Sequence, residues 1–419
     1  MIVEQLNLVD FRNYAAVDLT LHPGANVFVG RNGQGKTNLA EAIAYFATLG
    51  SHRVSQDAPM VRHGADAAFV RARLAHGDRR VQLEAQLNRT GSNKARVNGS
   101  PVRTAELPRY AQVVLFAPED LQIVRGDPTS RRRFADQLLI QRSPRMAGVL
   151  GDYDRVLKQR TALLKSARSR GVRGEGLSTL DVWDDKLVQF GTDIIRARLA
   201  LAADLAVPVA EAYTAIAGAD HRPELEWSLT VGGADPEDDV DAGDAAPTVV
   251  EHGPLPSAEE VAERFRQTLA TKRTAELERG VTLVGPHRDD LVLRVRGLPV
   301  KGYASHGESW SVALALRLAS ARLLREQSQL GDPVLILDDV FAELDADRRR
   351  RLGGLVADFE QVIVTAAVDA DVPTGLRART VRVEAGTIRI AGEEGAVVAP
   401  ITGDTVAPSD AGDPEAGDD

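Results

Sequence analysis

Gly30-Arg31-Asn32-Gly33-Gln34-Gly35-Lys36-Thr37 is the stretch on which the fold turns. A glycine, four intervening residues and then Gly-Lys-Thr form the pattern of a phosphate-binding loop, provided that a strand precedes it and a helix follows. Both conditions hold in the sequence. Residues 26–29 read as a short strand, and 35–49 read as a helix. The glycines let the backbone N–H groups of Gly30, Arg31, Asn32, Gly33, Gln34 and Gly35 turn inward around phosphate oxygens. The helix N-terminus adds partial positive charge. Lys36 is expected to reach the β- and γ-phosphates, and Thr37 to ligate Mg²⁺, so the cofactors implied are ATP and Mg²⁺.

A second half lies far downstream, at Val334-Leu335-Ile336-Leu337-Asp338-Asp339. Four aliphatic residues ending in two acids read as a buried strand whose carboxylates emerge at its C-terminal edge, where open α/β sheets bind ligands. Asp338 is the expected Mg²⁺-side carboxylate. Asp339 is placed to orient or deprotonate the attacking water, which makes it, with Lys36, the expected catalytic pair. Ser305-His306-Gly307-Glu308 opens a long helix. Alone it reads as an ordinary N-cap. Beside the two nucleotide motifs it resembles the ABC signature, a phosphate-contacting helix start, which implies Ser305, Gly307 and Glu308 as nucleotide contacts.

Composition narrows the setting. The chain has 419 residues, enough for two domains, and is 43% hydrophobic. Cysteine is absent, which excludes a disulfide scaffold and thiolate metal sites. The N-terminus Met1-Ile2-Val3-Glu4-Gln5 carries neither a basic n-region nor a long apolar run, and no stretch reads as spanning a bilayer, so a cytoplasmic location without membrane partners is expected. The net charge of −9 is unevenly distributed. Residues 233–260 hold nine acids and 400–419 hold six, with no Lys or Arg in either, so the remainder is net basic. Both segments are rich in Gly, Ala, Pro and Asp, a composition that buries too little apolar area to offset chain entropy. They are expected to be a disordered surface loop (233–257) and a disordered tail (400–419).

Along the chain, residues 2–8, 17–21, 68–74 and 81–87 alternate like strands, Asn98-Gly99 supplies a hairpin turn, and 113–117 read as a buried strand. Residues 128–217 are helical and highly charged. Within them Leu180, Trp183, Leu187, Phe190, Ile194, Arg198, Leu201 and Leu205 recur at steps of three and four, one core-facing side of a helix. Residues 258–278 form another charged helix, after which 291–295, 334–337, 361–365 and 381–383 return to strands, with a helix at 308–326. The expected architecture is a split α/β head at 1–127 and 280–399, interrupted by a mainly helical domain at 128–279.

The constellation resembles the ABC/SMC class of ATPases. Ser305-His306-Gly307-Glu308 is similar to the ABC signature, and Glu343-Leu344-Asp345 to the D-loop. Asn7-Leu8-Val9-Asp10-Phe11-Arg12-Asn13-Tyr14 and Asn38-Leu39-Ala40-Glu41-Ala42-Ile43 resemble SMC-like repair ATPases, not transporter subunits. The interval between Lys36 and Ser305 has no room for an SMC arm, which points to the RecF family. That family is also matched by Phe116-Ala117-Pro118-Glu119-Asp120-Leu121, Arg131-Arg132-Arg133-Phe134-Ala135-Asp136, Leu157-Lys158-Gln159-Arg160 and Val284-Gly285-Pro286-His287-Arg288-Asp289-Asp290-Leu291.

The resemblance implies an ABC-type SMC-head P-loop fold whose signature completes the nucleotide site of a second copy, so that ATP drives head-to-tail dimerisation. It implies work on DNA in replication, repair and the SOS response, together with RecO and RecR and helping to load RecA at single-strand gaps. It places Arg12 near the nucleotide. Asp339 stands where many relatives carry Glu, one methylene longer, and the switch histidine of ABC ATPases is missing from Val364-Thr365-Ala366-Ala367-Val368-Asp369, where Thr365 is left to take a polar role. Slow hydrolysis is expected from the shorter aspartate. Arg131, Arg132 and Arg133 head the candidate DNA contacts, with Arg125, Arg142, Arg145, Lys158, Arg160 and Lys165 beside them. With aromatic content of only 5%, phosphate contact is favoured over base stacking. Two alternatives remain at this level: an ATPase subunit of a transport or other DNA-associated complex, and a clamp that binds ATP but barely turns over. His287-Arg288-Asp289-Asp290 reads as structural, since one His and two acids make a poor metal site alone.

Overall fold

The chain opens with a hairpin, β1 (Ile2–Phe11) and β2 (Tyr14–Thr20). Strand β3 (Gly24–Val29) feeds the glycine loop, and helix α1 (Lys36–Thr48) leaves it. Strands β4 (Ala67–His76), β5 (Arg79–Asn88), β6 (Lys94–Val97) and β7 (Ser100–Val102) then extend the hairpin into a six-stranded antiparallel sheet of order β2-β1-β4-β5-β6-β7. Asn98 and Gly99, at φ of 49° and 81°, make the two-residue turn between β6 and β7 that the Asn-Gly pair predicts. This computed structural model describes residues 1–170, 178–233, 255–328, 330–377 and 379–390.

Strand β8 (Val113–Phe116) is followed by α2 (Leu121–Arg125), α3 (Pro128–Arg142), α4 (Arg145–Arg170) and α5 (Ser178–Ala217). Next come β9 (Glu224–Ser228), α6 (Ala258–Arg279), β10 (Asp290–Val295), β11 (Leu298–Pro299) and a kinked turn, α7 (Val300–Tyr303). The last part holds α8 (His306–Gln327), β12 (Val334–Asp338), α9 (Ala346–Val356), β13 (Gln361–Ala366), β14 (Arg379–Glu384) and β15 (Thr387–Ile390). Five of these strands run parallel in a central sheet of order β15-β14-β3-β13-β12-β8, and β15 closes its edge antiparallel.

The central sheet is buried on both faces, and the two-residue period of a strand sorts its side chains between two cores. Ala25, Val27 and Val29 of β3 and Leu335 and Leu337 of β12 join the helices α3–α6, α8 and α9. Phe28 of β3 and Val334 and Ile336 of β12 join α1 and the antiparallel sheet. That explains why these strands are aliphatic throughout. The stripe on α5 is core-facing as expected, with Leu187, Ile194, Leu201 and Leu205 at 1% exposure or less.

Two expectations are corrected. The head was expected to resume at 280, yet β10 pairs with β9 and β11 in a separate three-stranded sheet. β10 thus finds its hydrogen-bond partner in the segment after α5, not in the central sheet. The expectation that no stretch could span a bilayer also fails as a statement about composition. Thr179–Ala217 is long and apolar enough, with a mean hydropathy of 1.5 in its richest window. Its apolar stripe packs into the helical core, which is the reason for that composition. The acidic loop and tail fall almost wholly at 234–254 and 391–419, outside the described residues.

Candidate nucleotide site

Register brings the motifs level. Asp338 stands beside Thr365, and Thr365 beside Phe28, so the end of β12, the end of β13 and the loop after β3 share one edge of the central sheet. The Gly30 N–H donates to Ala366 O at 3.2 Å. A Cβ at Gly30 would lie 2.2 Å from Val383 O, so the loop leaves the sheet through a gap that only glycine passes. Gly35, at φ 116°, is the residue before α1, and a Cβ there would sit 2.7 Å from the Tyr14 hydroxyl. That hydroxyl donates to Gly35 O at 3.1 Å, while Asn13 Nδ2 donates to Gln34 O at 3.0 Å. The loop is thus held on one side by the central sheet and on the other by the first hairpin of the antiparallel sheet.

Lys36 is buried. Its Nζ donates to Arg31 O at 3.4 Å and lies 3.9 Å from Asp339 Oδ2, poised over the loop's concavity. Thr37 Oγ1 donates to Asp338 Oδ1 at 3.0 Å, and Thr365 Oγ1 donates to the same oxygen at 2.6 Å. A hydroxyl and a carboxylate this close are hard oxygen donors of the type Mg²⁺ takes, with room left for water and phosphate ligands. Thr37 and Asp338 therefore fit the metal expected of them. Thr365 has the polar role expected of it, since it also accepts from the Asp339 N–H at 2.9 Å.

Asp339 adopts a left-handed backbone, φ 51° and ψ 16°, uncommon for a non-glycine residue and characteristic of functional sites. Burial pushes its carboxyl above the ordinary range, Asp338 and Asp371 add to the shift, and Lys36 opposes it. Its Oδ1 is buried without a hydrogen-bond partner among the described residues. A carboxylate of raised basicity with a free oxygen suits a proton acceptor for water.

Several of the expected site residues are bonded within the chain itself. Arg12 forks onto Glu41 of α1, Nε to Oε2 at 2.7 Å and Nη2 to Oε1 at 2.6 Å, and donates to Pro59 O at 2.9 Å. Its charge is thus balanced inside the protein, beside residues that hold the loop. Ser305 caps α8 by accepting the Glu308 N–H at 3.3 Å, and Glu308 accepts the Ser305 N–H at 3.0 Å in return. Glu308 also pairs with Arg296 at 3.0 Å. Its carboxylate is held low, first by the Ser305 N–H, and is committed to the cap, which takes it away from the nucleotide contact expected of it. A Cβ at Gly307 would lie 3.1 Å from Arg348, which is tied to Asp345, so the helix start and the Glu343–Asp345 turn form one surface. Among the described residues no hydrogen bond joins 305–308 to 30–37.

Within the arginine run, Arg131 is buried while Arg132 is half-buried and Arg133 exposed. Arg131, 5% exposed, forks onto Asp290 at 2.6 and 2.8 Å. Arg132 donates to Asp289 O at 2.7 Å, and Arg133 to Ser51 O at 2.9 Å. Arg160 is fully buried, bonded to Asp184 and Glu276. Arg131 and Arg160 are structural cations with no face open to a DNA phosphate. Glu41 and His52 were missed. The one signal for Glu41 is an acid set in the otherwise apolar run of α1.

The sequence profile of the RecF/RecN/SMC N terminal domain matches residues 2–387. The DNA replication and repair protein RecF of Clavibacter sepedonicus is 57% identical over 388 residues, covering 93% of this chain and 95% of that one. The chain belongs to the RecF family. The RecF of Leifsonia xyli subsp. xyli is 56% identical over 388 residues, covering 93% of this chain and 99% of its own. Among solved structures, the recombination mediator protein RecF with ATP in the RecFOR pathway superposes with a TM-score of 0.79 at 26% identity, covering 93% of this chain and 97% of that one. The Smc head with an extended coiled coil from Pyrococcus furiosus reaches 0.51 at 15% identity, a likeness of fold alone. The RecF-type architecture is thus an α/β ATPase head with helices inserted, as the motifs had implied.

Proposed function

We propose that the chain is an ATP-binding, slowly hydrolysing protein of recombinational repair and replication. Two ATP-filled copies pair head to tail on DNA, and Ser305 and Gly307 of each close over the nucleotide held by Lys36 and Thr37 of the other. The observation that carries this reading is the half-built site. The loop, Lys36, Thr37, Asp338 and Asp339 stand together at one sheet edge, while the capped N-terminus of α8 presents an exposed Ser305 to solvent. An anion-binding helix start that makes no hydrogen bond to its own chain's loop suits a second chain's phosphates. Mg²⁺ bound between Thr37 and Asp338 would neutralise phosphate charge, while Lys36 holds the γ-phosphate and Asp339 accepts the water proton.

The repair setting is supported by relatives named for DNA replication and repair and by the RecF structure described in the RecFOR pathway. RecO and RecR as partners, indirect service to RecA, gapped DNA as the target and a cytoplasmic location belong to the same proposal. The transport-subunit alternative has no relative among these matches to favour it.

Native mass measured with ATP and a gapped duplex tests the pairing. The unsubstituted chain should form dimers only with ATP. Lys36→Ala should lose nucleotide and dimer together, and Ser305→Arg should keep nucleotide but lose the dimer. Mixed, the two variants should recover one working site per pair. Dimers of Ser305→Arg as stable as those of the unsubstituted chain would refute the arrangement.

A further inference from the structure

We infer that His52 is a positioning residue for the metal-side carboxylate, filling a place that the absent switch histidine leaves open; the inference rests on the nucleotide site proposed above. Asp338 uses its two oxygens unequally. Oδ1 takes both hydroxyls, from Thr37 and Thr365, while Oδ2 faces His52 Nε2 at 3.8 Å. That imidazole nitrogen is buried and has no hydrogen-bond partner among the described residues. An unmet buried donor or acceptor costs about 1–3 kcal/mol. Such groups in native structures call for a cause, and one of the recognised causes is an ion or water that completes the site.

A Mg²⁺ held by Thr37 and Asp338 would be such a cause. If the Thr37 hydroxyl served as a ligand instead, Asp338 would lose one of its two hydroxyl donors. Thr365 still holds Oδ1, and the free oxygen needs a donor of its own to keep the carboxylate from rotating. An imidazole N–H on Oδ2 does this, in the manner of groups that orient metal ligands without touching the metal. The closure needed is roughly 1 Å, to reach an ordinary N–H···O length.

The surroundings allow it and aim it. Ser51, next in the chain, is anchored on both sides: its hydroxyl binds Glu41, and its carbonyl accepts Arg133 at 2.9 Å. The His52 ring borders a cavity of about 230 Å³, whose wall includes Thr48, Leu115, Phe134 and Arg317, so the ring has space to move while its backbone stays fixed.

The test uses the full chain with ATP and Mn²⁺ as a paramagnetic stand-in for Mg²⁺. His52→Phe keeps the ring and removes the donor. His52→Gln keeps an N–H at comparable reach. We expect Mn²⁺ affinity in the ATP complex to fall about 10-fold or more in His52→Phe, within the range seen when outer partners of metal ligands are lost. His52→Gln should recover most of it, and nucleotide affinity in EDTA should move less than twofold in either. Unchanged Mn²⁺ affinity in His52→Phe, or an equal loss in both variants, overturns the role. If the unsubstituted chain fails to bind ATP in EDTA or with metal, the nucleotide site falls and this inference with it. Should His52→Phe not fold, the unsubstituted chain decides: an imidazole Nε2–H signal protected from exchange should appear only with ATP and Mg²⁺ together, and its absence overturns the role.

Discussion

Asp339 shows how much one residue decides. Its shortness relative to glutamate is visible in the sequence, but its left-handed backbone, its buried free oxygen and its raised carboxyl are not. The backbone conformation belongs to the turn after β12, where the Asp339 N–H is held by Thr365 Oγ1, and the raised carboxyl follows from burial. Asp339→Asn should leave ATP binding and dimerisation near their original level and cut single-turnover hydrolysis by roughly 10²-fold or more. Quench-flow with radiolabelled ATP measures it, and a rate within threefold of the original would favour a clamp over an ATPase. The arginine run teaches the opposite lesson. Arg131, Arg132 and Arg133 look equivalent as letters, but helical rotation sends one to Asp290, one to the Asp289 carbonyl and one to Ser51. Their partners lie as many as 159 positions away, so no local pattern could identify them.

Between elements, the helical unit is held by buried charge as much as by its apolar stripe. Arg160 of α4 donates to Asp184 of α5 at 2.6 Å, to Glu276 of α6 at 2.6 Å, and to the Thr282 hydroxyl at 3.0 Å. Removing one partner of a buried pair strands the other. Arg160→Met should therefore cost about 3–5 kcal/mol in chemical denaturation, and adding Glu276→Leu should restore part of it. A loss under about 1 kcal/mol would mean that water reaches Glu276. The helices themselves were legible from their charge and apolar period, and the cap read at Ser305 does start α8. The small sheet of β9, β10 and β11 was not. Two of its strands are only five and six residues long and are separated by α6, so their pairing is a property of the folded whole.

For the molecule as a whole, the stretch from Val284 to Leu291 is a polar knot between the helical unit and its sheet. His287 bonds the Tyr153 hydroxyl at 2.8 Å, and Asp289 takes both the N–H and the hydroxyl of Thr230. Burial holds His287 down at about 3 and raises Asp289 to about 6. A depressed histidine stabilises the fold fully above its ordinary value of 6.5 and loses that contribution as pH falls towards 3. A raised carboxyl acts in reverse, helping below 3.8 and fading as pH rises through about 6. His287→Gln removes the first effect and leaves the second. Its stability relative to the unsubstituted chain should therefore climb by up to about 2 kcal/mol between pH 7 and pH 5. Urea melts at the two pH values check this, and a constant difference would show that His287 is not the group titrating. The central sheet carries a further consequence, one of timing. Strand β3, which aims the glycine loop, is flanked only by β13 and β14. On the ribosome the loop's strand therefore waits unpaired until nearly all the described chain has emerged. A nascent or truncated chain lacking β13 and β14 would present the glycine loop on a strand without its two sheet neighbours.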